Sequence, residues 1–546
     1  MIRQNPRTSV SLLVCSLNVI MLGCGSTIAT PVSGTNVVPP GTIKHVVVIF
    51  QENVSFDHYF GTYPTALNLS GELPFTSLPG TPAVDGLSQS LLTSNPNASN
   101  SRNGAGATNP FRLSLADAAT ADQDHQYKPE QFAFDAGAMD LFPLSVGAKD
   151  GPDMGSGILA TTGLTMGYYD GNTVTAIWNY AQHYAMGDRF FGTTFGPSTI
   201  GAINLISGQT NGAVNDSNGD GSMISDGNGG YTIFDNADPV NEICSATGSS
   251  TVHMTGKNAG DLLNAADVTW GFFAEGFDTT ATNSNGTTGC HRSHTSTITK
   301  QTRLDYTPYI EPFQFYASTA NPLHTRPTSV QLIGQASDGT TNHQYDLQDF
   351  FNAVAAGNFP AVSFLKSAAY RDGHAGYSDP IDEQAFLVST INLIEQTPEW
   401  NSTIVIVTYD DSDGWYDHVN NVINGSATEQ DAYSSPGVCG DGATALPGVN
   451  VGTLHAQGRC GYGPRLPILV ISPWAKPNYV SHTGIDQTSV LRFVEDVFLN
   501  QQRIGQGSYD SIAGSIVDML DFSQTAPQNG KVLLLDGTTG QVTTAQ

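Results

Sequence analysis

The stretch HVVVIFQENVSFDHYF, residues 45–60, opens the reading of the fold. Its first six residues are an apolar, β-branched run placed just after Pro39, Pro40 and Gly41, the composition of a buried strand entered from a turn. The run leads into Glu52 and Asn53, with Ser55, Asp57 and His58 close behind. Two readings of that polar cluster are open. One is a turn with local capping, which suits Asn, Ser and Asp. The other is a metal or catalytic site at the carboxyl end of a strand, where open α/β sheets place their ligands.

A second stretch repeats the pattern. NSTIVIVTYDDSDGWYDHV, residues 401–419, carries Asp410 and Asp411 to the end of another β-branched strand. Adjacent carboxylates repel, and a cation between them relieves the repulsion. Glu52, Asn53, Asp410 and Asp411 together form an oxygen-rich shell suited to one divalent metal ion: Mg, Ca, Mn or Zn. Two strand ends that simply meet solvent are the alternative. LPILVISPWA, residues 466–475, reads as a third strand. Helical periodicity appears in residues 175–191, with Ile177, Tyr180, Ala181 and Tyr184 on one face, and again in residues 382–400 and 488–499. Strands alternating with helices predict an α/β fold with a largely parallel central sheet flanked by helices. The polar stretches near 65–125 and 209–300 keep aromatics and cysteines, and read as large loop-rich insertions forming a cap or second subdomain. DSNGDG, residues 216–221, begins like a calcium loop, but Gly227 stands where a bidentate acid is needed, so a turn is the better reading.

The chain has 546 residues, with 21 Lys plus Arg against 49 Asp plus Glu, a net charge of −28. That balance argues against nucleic acid as a partner, because phosphate backbones are held by clustered Lys and Arg. Only 13% of residues are charged and 58 are Gly, a composition suited to an exported, loop-rich protein with a core supplied by its 39% hydrophobic residues. The N-terminus agrees. Two arginines precede the apolar VSLLVCSLNVIML, and MLGCGS resembles a bacterial lipobox with Cys24 as the residue to be lipidated. Residues 1–23 are thus expected to be a signal peptide and residues 24–42 a flexible tether. Periplasm, outer-membrane anchoring through a Cys24 lipid, and secretion are all compatible. The remaining cysteines, Cys244, Cys290, Cys439 and Cys460, suggest two disulfides in an oxidising compartment, with proximity favouring Cys244–Cys290 and Cys439–Cys460.

FFGTTFGPSTIGAINLISGQ, residues 190–209, adds a candidate nucleophile. Ser198 sits at a turn entering a helix, where backbone N–H groups can surround a ligand; an ordinary helix cap is equally consistent with the residues alone.

Together with DQDHQYKPEQ, EPFQFYASTANPLH, DGHAGYSDP, CGYGPRLPILVISPWAKPNYVSHT and GSYDSIAGSIVDMLDF, these segments occur in an order that resembles the bacterial phosphoesterase family uniting acid phosphatases and phospholipases C. The resemblance implies an alkaline-phosphatase-like core over residues 43–546, one active-site metal and a phosphoserine intermediate. It places Glu52, Asn53, Ser198, Asp410 and Asp411 at the metal. Ser198 takes the nucleophile position, and His125, His374 and Asn53 surround the substrate phosphate, with His125 as proton donor to the leaving group. Two departures are notable. Tyr309 and Ile310 replace a histidine pair, and Ile200, Gly201 and Ala202 replace Pro-Asn-Arg after the nucleophile. The implied activity is an exported metal-dependent hydrolysis of small phosphate esters, as in acid phosphatases. Phospholipase C cleavage of phospholipid diesters is the alternative, and a non-catalytic acidic cell-surface binding lipoprotein is a third reading.

Overall fold

The β-branched runs form the strands that their composition suggests. In the computed structural model, which describes residues 37–148, 150–216, 221–225, 230–421, 458–524, 527 and 531–545, an eight-stranded sheet occupies the centre of the unit Val38–Gln546. In chain order its strands are β1 (His45–Gln51), β2 (Ala185–Gly187), β3 (Trp270–Ala274), β4 (Gln344–Asp346), β5 (Val362–Lys366), β6 (Thr403–Tyr409), β7 (Ile468–Ile471) and β8 (Tyr479–Ser481). Across the sheet the order is β4-β3-β5-β1-β6-β7-β2-β8, and all strands but β7 run the same way. β1 and β6 are buried along nearly their whole length, as expected of parallel strands covered on both faces. Helices α1 (Phe56–Phe60), α2 (Thr175–His183), α3 (Ser198–Ser207), α4 (Pro380–Glu395) and α5 (Gln487–Phe498) follow strands or connect them.

The register of β1 against β6 positions the site. His45 lies opposite Thr403 and Gln51 opposite Tyr409, so the two strands end level. The chain then continues as Glu52–Asn53 on one side and Asp410–Asp411 on the other. The Asp410 N–H donates to Gln51 O at 3.1 Å and the Val54 N–H to Asp411 O at 2.9 Å, which extends the ladder past both strand ends.

Two expectations need correction. Residues 175–191 do not form one helix: α2 stops at His183, and residues 185–187 become β2, paired with β7 and β8. Sheet pairing there overrides the local helical periodicity. The stretch 209–300 is not wholly peripheral either. Its first part, residues 211–254, builds a separate five-stranded sheet, but Trp270–Ala274 is β3 of the central sheet. Cys244 and Cys290 are joined, with Cα atoms 5.1 Å apart. Cys439 of the second expected pair, the N-terminal segment with Cys24, and residues 217–220 of DSNGDG lie outside the described residues. Among the described residues no helix is long and apolar enough to cross a membrane.

Candidate active site

Strand ends and one helix start bring the expected residues together. Glu52, Asn53, Ser198, Asp410 and Asp411 are all buried. Asn53 adopts φ +62°, a left-handed conformation that asparagine tolerates well, and this turns the chain out of β1. Ser198 is the first residue of α3, and its hydroxyl donates to Asp411 Oδ2 at a long 3.4 Å. The helix comes this close because residue 201 is glycine: a Cβ there would stand 2.1 Å from Asp410 O. Glu130 fastens both sides of Ser198, the candidate nucleophile. It accepts from the Gly196 N–H at 3.0 Å, in the turn before Ser198, and from the Ser412 hydroxyl at 2.8 Å, in the loop after Asp411.

The hydrogen bonds fix which atom each side chain offers. The amide nitrogen of Asn53 is committed to Asp413 Oδ1 at 3.2 Å and to His125 Nε2 at 3.3 Å. Its Oδ1 is buried without a hydrogen-bond partner, and so is Asp410 Oδ2. Asn53 therefore presents an oxygen to the centre of the site, which suits a cation ligand. His125 Nδ1 lies 3.0 Å from Gln123 O, and His374 Nδ1 lies 2.6 Å from Ala375 O; a carbonyl only accepts, so both rings carry a proton at Nδ1. Burial holds the His374 pKa well below its usual value, with the neighbouring His125 adding to the effect. A neutral ring protonated at Nδ1 offers a lone pair at Nε2, so His374 in this state is an acceptor there.

The charges are lopsided. Burial pushes Asp410 well above the usual carboxylate range, and Asp411 and Glu52 push it further. Burial does the same to Asp411, aided by Glu130, and to Asp413, aided by Asp122. The compensating cation is Lys366 at the end of β5, 3.0 Å from Glu52 Oε1 and 3.3 Å from Asp372 Oδ2. So many buried carboxylates are costly without positive charge, and a divalent ion supplies it. The unpartnered oxygens of Asn53 and Asp410 fit such an ion. A second grouping stands beside them: His125, His374 and Asp413 offer ligand atoms all within 4.8 Å of one another, a tighter cluster than Glu52, Asp410 and Asp411 make.

Sequence reading missed Asp413, Asp372, Lys366, Glu130 and Tyr377. Asp413 was visible in TYDDSDGW as a further acid beside the pair. Tyr377, whose hydroxyl donates to Glu52 Oε2 at 3.2 Å, was visible in the segment of His374. Lys366 carried a weaker signal, a lone cation ending an apolar strand. The residues after Asn53 turn out to be structural. Ser55 accepts from the His58 N–H and caps α1. Asp57 pairs with Arg465 at 3.0 Å and with His418 at 2.6 Å. His58 stacks on Trp415 at 3.9 Å, and burial lowers its pKa to about 3.

The chain is similar to a non-hemolytic phospholipase C of Pseudomonas aeruginosa, 24% identical over 84% of this chain and 54% of the relative. A non-hemolytic phospholipase C of Burkholderia pseudomallei is 23% identical over 88% of this chain and 59% of the relative. Phospholipase C A of Mycobacterium tuberculosis is 24% identical over 84% and 73%. The chain thus spans little more than half the length of the first two. The model of the phosphoesterase family matches residues 43–499, from the start of β1 through α5, and takes in every residue of the site just described. On that match the chain belongs to the phosphoesterase family.

Proposed function

We propose that the protein is an exported, metal-dependent phosphoric ester hydrolase with Ser198 as its nucleophile, acting on small phosphomonoesters as acid phosphatases do. The observation that carries this reading is the level ending of β1 and β6. It sets Glu52–Asn53 beside Asp410–Asp411, with Ser198 Oγ 3.4 Å from Asp411. A divalent ion held by Asn53, Asp410, Asp411, Glu52 and Ser198 would acidify the serine hydroxyl and offset charge on the phosphoryl group.

Within this reading Ser198 loses its hydroxyl proton to solvent as Oγ forms a bond to phosphorus and the bond to the ester oxygen breaks. The leaving alkoxide takes up a proton, from solvent in the first turnover and from His125 thereafter. The resting His125 accepts at Nε2 from Asn53, so it serves first as a base. It takes a proton from the water that cleaves the phosphoserine, and the imidazolium so formed has Asp413 Oδ1 at 3.4 Å from its Nδ1 to stabilise it. That imidazolium can then protonate the next leaving group. Export is supported by the apolar, lipobox-like N-terminus and by the Cys244–Cys290 link, which suits an oxidising compartment. Membrane anchoring through Cys24 belongs to the same proposal.

A second reading, phospholipase C action on diesters, rests on the names of the relatives and on a groove. Ala121, Asp150, Met154, Leu159 and neighbouring residues line a space of about 560 Å³; it opens beside Asp122, which approaches His125. Turnover of p-nitrophenyl phosphate and of phosphatidylcholine, with and without chelator, tests both. The primary reading expects chelator-sensitive release from the monoester and little from the lipid; the reverse preference favours the second.

A further inference from the structure

Arg303 lies on a hairpin formed by Ser293–Thr295 and Thr302–Leu304. Its side chain is exposed, and its guanidinium carbon sits 4.4 Å from the ring centroid of Tyr377. His374 stacks on the same ring, with centroids 4.3 Å apart and planes at 27°. Two groups at those distances cannot share one face, so the Tyr377 ring is covered on both. The Tyr377 hydroxyl reaches inward to Glu52 Oε2. One aromatic side chain therefore separates Arg303 from an acid of the candidate metal site.

The hairpin is fixed in place. Its turn is tied to the segment carrying His374 and Tyr377 by Thr299 Oγ1, which donates to Tyr377 O at 2.9 Å, and by Ser296 Oγ, which donates to Asp379 Oδ2 at 3.1 Å. Among the described residues no carboxylate lies within ion-pair distance of Arg303, whereas Arg112, Arg292, Arg326, Arg371 and Arg465 each have one. An unpaired cation is thus held at the edge of an acid-rich site in a chain of net charge −28.

Substrate charge follows from this geometry. A phosphomonoester carries nearly two negative charges at neutral pH. A choline phosphodiester carries one, together with a quaternary ammonium of the kind that open aromatic faces recognise. We propose that Arg303 is a specificity-determining residue. It binds the extra negative charge of a phosphomonoester, and by its own charge and its cover of Tyr377 it disfavours a choline-bearing phosphoryl group. This rests on the phosphoester-hydrolase reading above.

The test compares p-nitrophenyl phosphate with p-nitrophenylphosphorylcholine, which share a leaving group, in the parent chain and in Arg303→Gln and Arg303→Lys. Arg303→Gln should lower kcat/KM for the monoester about tenfold, chiefly through KM, and raise it for the choline ester. Arg303→Lys should keep much of the parent preference. Calorimetric binding of inorganic phosphate gives the same comparison without turnover, and Arg303→Gln should weaken it about tenfold as well. A substrate ratio that does not shift towards the choline ester, or unchanged phosphate affinity, overturns the assignment. Ser198→Ala keeps the two claims apart. If it is inactive while the ratio stays fixed in Arg303→Gln, only the role of Arg303 falls; turnover persisting in Ser198→Ala removes the underlying reading.

Discussion

Glu130 illustrates how a side chain remote from substrate can govern a site through its protonation. Burial raises its pKa to about 8, against the hydrogen bonds from Gly196 and Ser412 that favour the carboxylate. An acid whose pKa is higher folded than unfolded binds more protons in the native state between the two values. Its contribution to stability therefore falls as pH rises from the ordinary carboxylate range, about 4.3, towards about 8. Glu130→Gln mimics the protonated form. It should stay active and show a smaller loss of Tm between pH 5 and 8 than the parent, whereas Glu130→Ala should lose turnover by releasing Gly196 and Ser412. Melting curves across that range, with kcat at each pH, check this; matching Tm slopes for parent and Gln variant would count against it. The departure at Tyr309 and Ile310 also resolves at this scale. Ile310 is buried and lines a small internal cavity beside Lys366 and Glu311, whereas Tyr309 is half-buried, its pKa raised by burial and then by Glu52 and Asp372. Tyr309 alone faces the site.

Among the elements, the close approach of α3 to the end of β6 is the contact on which the position of Ser198, the proposed nucleophile, depends. A methyl group at residue 201 would stand 2.1 Å from Asp410 O, and backbone cannot give way as a flexible side chain can. Gly201→Ala should cost about 1–3 kcal/mol and displace Ser198 from Asp411. Turnover should fall by more than the lost stability explains, and activity measured well below the variant's Tm separates the two effects. β1, β6 and β7 were legible in sequence because a strand buried on both faces is a continuous apolar run, and α4 and α5 because their caps and periodicity agree. β2 was not, since residues 185–187 carry three small or flexible residues whose strand character comes only from pairing with β7 and β8. β3 was hidden within a stretch otherwise rich in loops.

Across the whole molecule, a buried charge network joins segments far apart in sequence. Asp57 of α1, Asp417 and His418 of the loop after β6, and Arg465 before β7 share hydrogen bonds. Burial works against the charge of His418, but Asp57 and Asp417 outweigh it and raise its pKa to about 9. Its stabilisation is therefore complete below about pH 6.5 and lost as pH rises through about 9. His418→Gln should lower Tm clearly at pH 6, and the gap to the parent should close by pH 10; a constant gap would show that packing, not charge, is what the ring contributes. The Cys244–Cys290 link closes a loop of sequence separation 46, worth about 4 kcal/mol in the chain-entropy model. Replacing both cysteines by serine should lower Tm to match, and an unchanged melt would mean that the loop is restrained without the bond. Much of the candidate site was legible because Glu52–Asn53, Asp410–Asp411, Ser198, His125 and His374 sit in polar clusters after apolar runs or at turns. What could not be read was which atom each would offer. The amide of Asn53 is turned by Asp413, and the ring of His374 is fixed by Ala375 O, through contacts that exist only in the folded chain.

The most direct measurement is the identity of the phosphorylated residue. Acid quenching during turnover of p-nitrophenyl phosphate, followed by peptide mass spectrometry, should find phosphate on the peptide containing Ser198 and none in Ser198→Ala. Phosphate on another side chain, or full turnover in Ser198→Ala, would contradict the account.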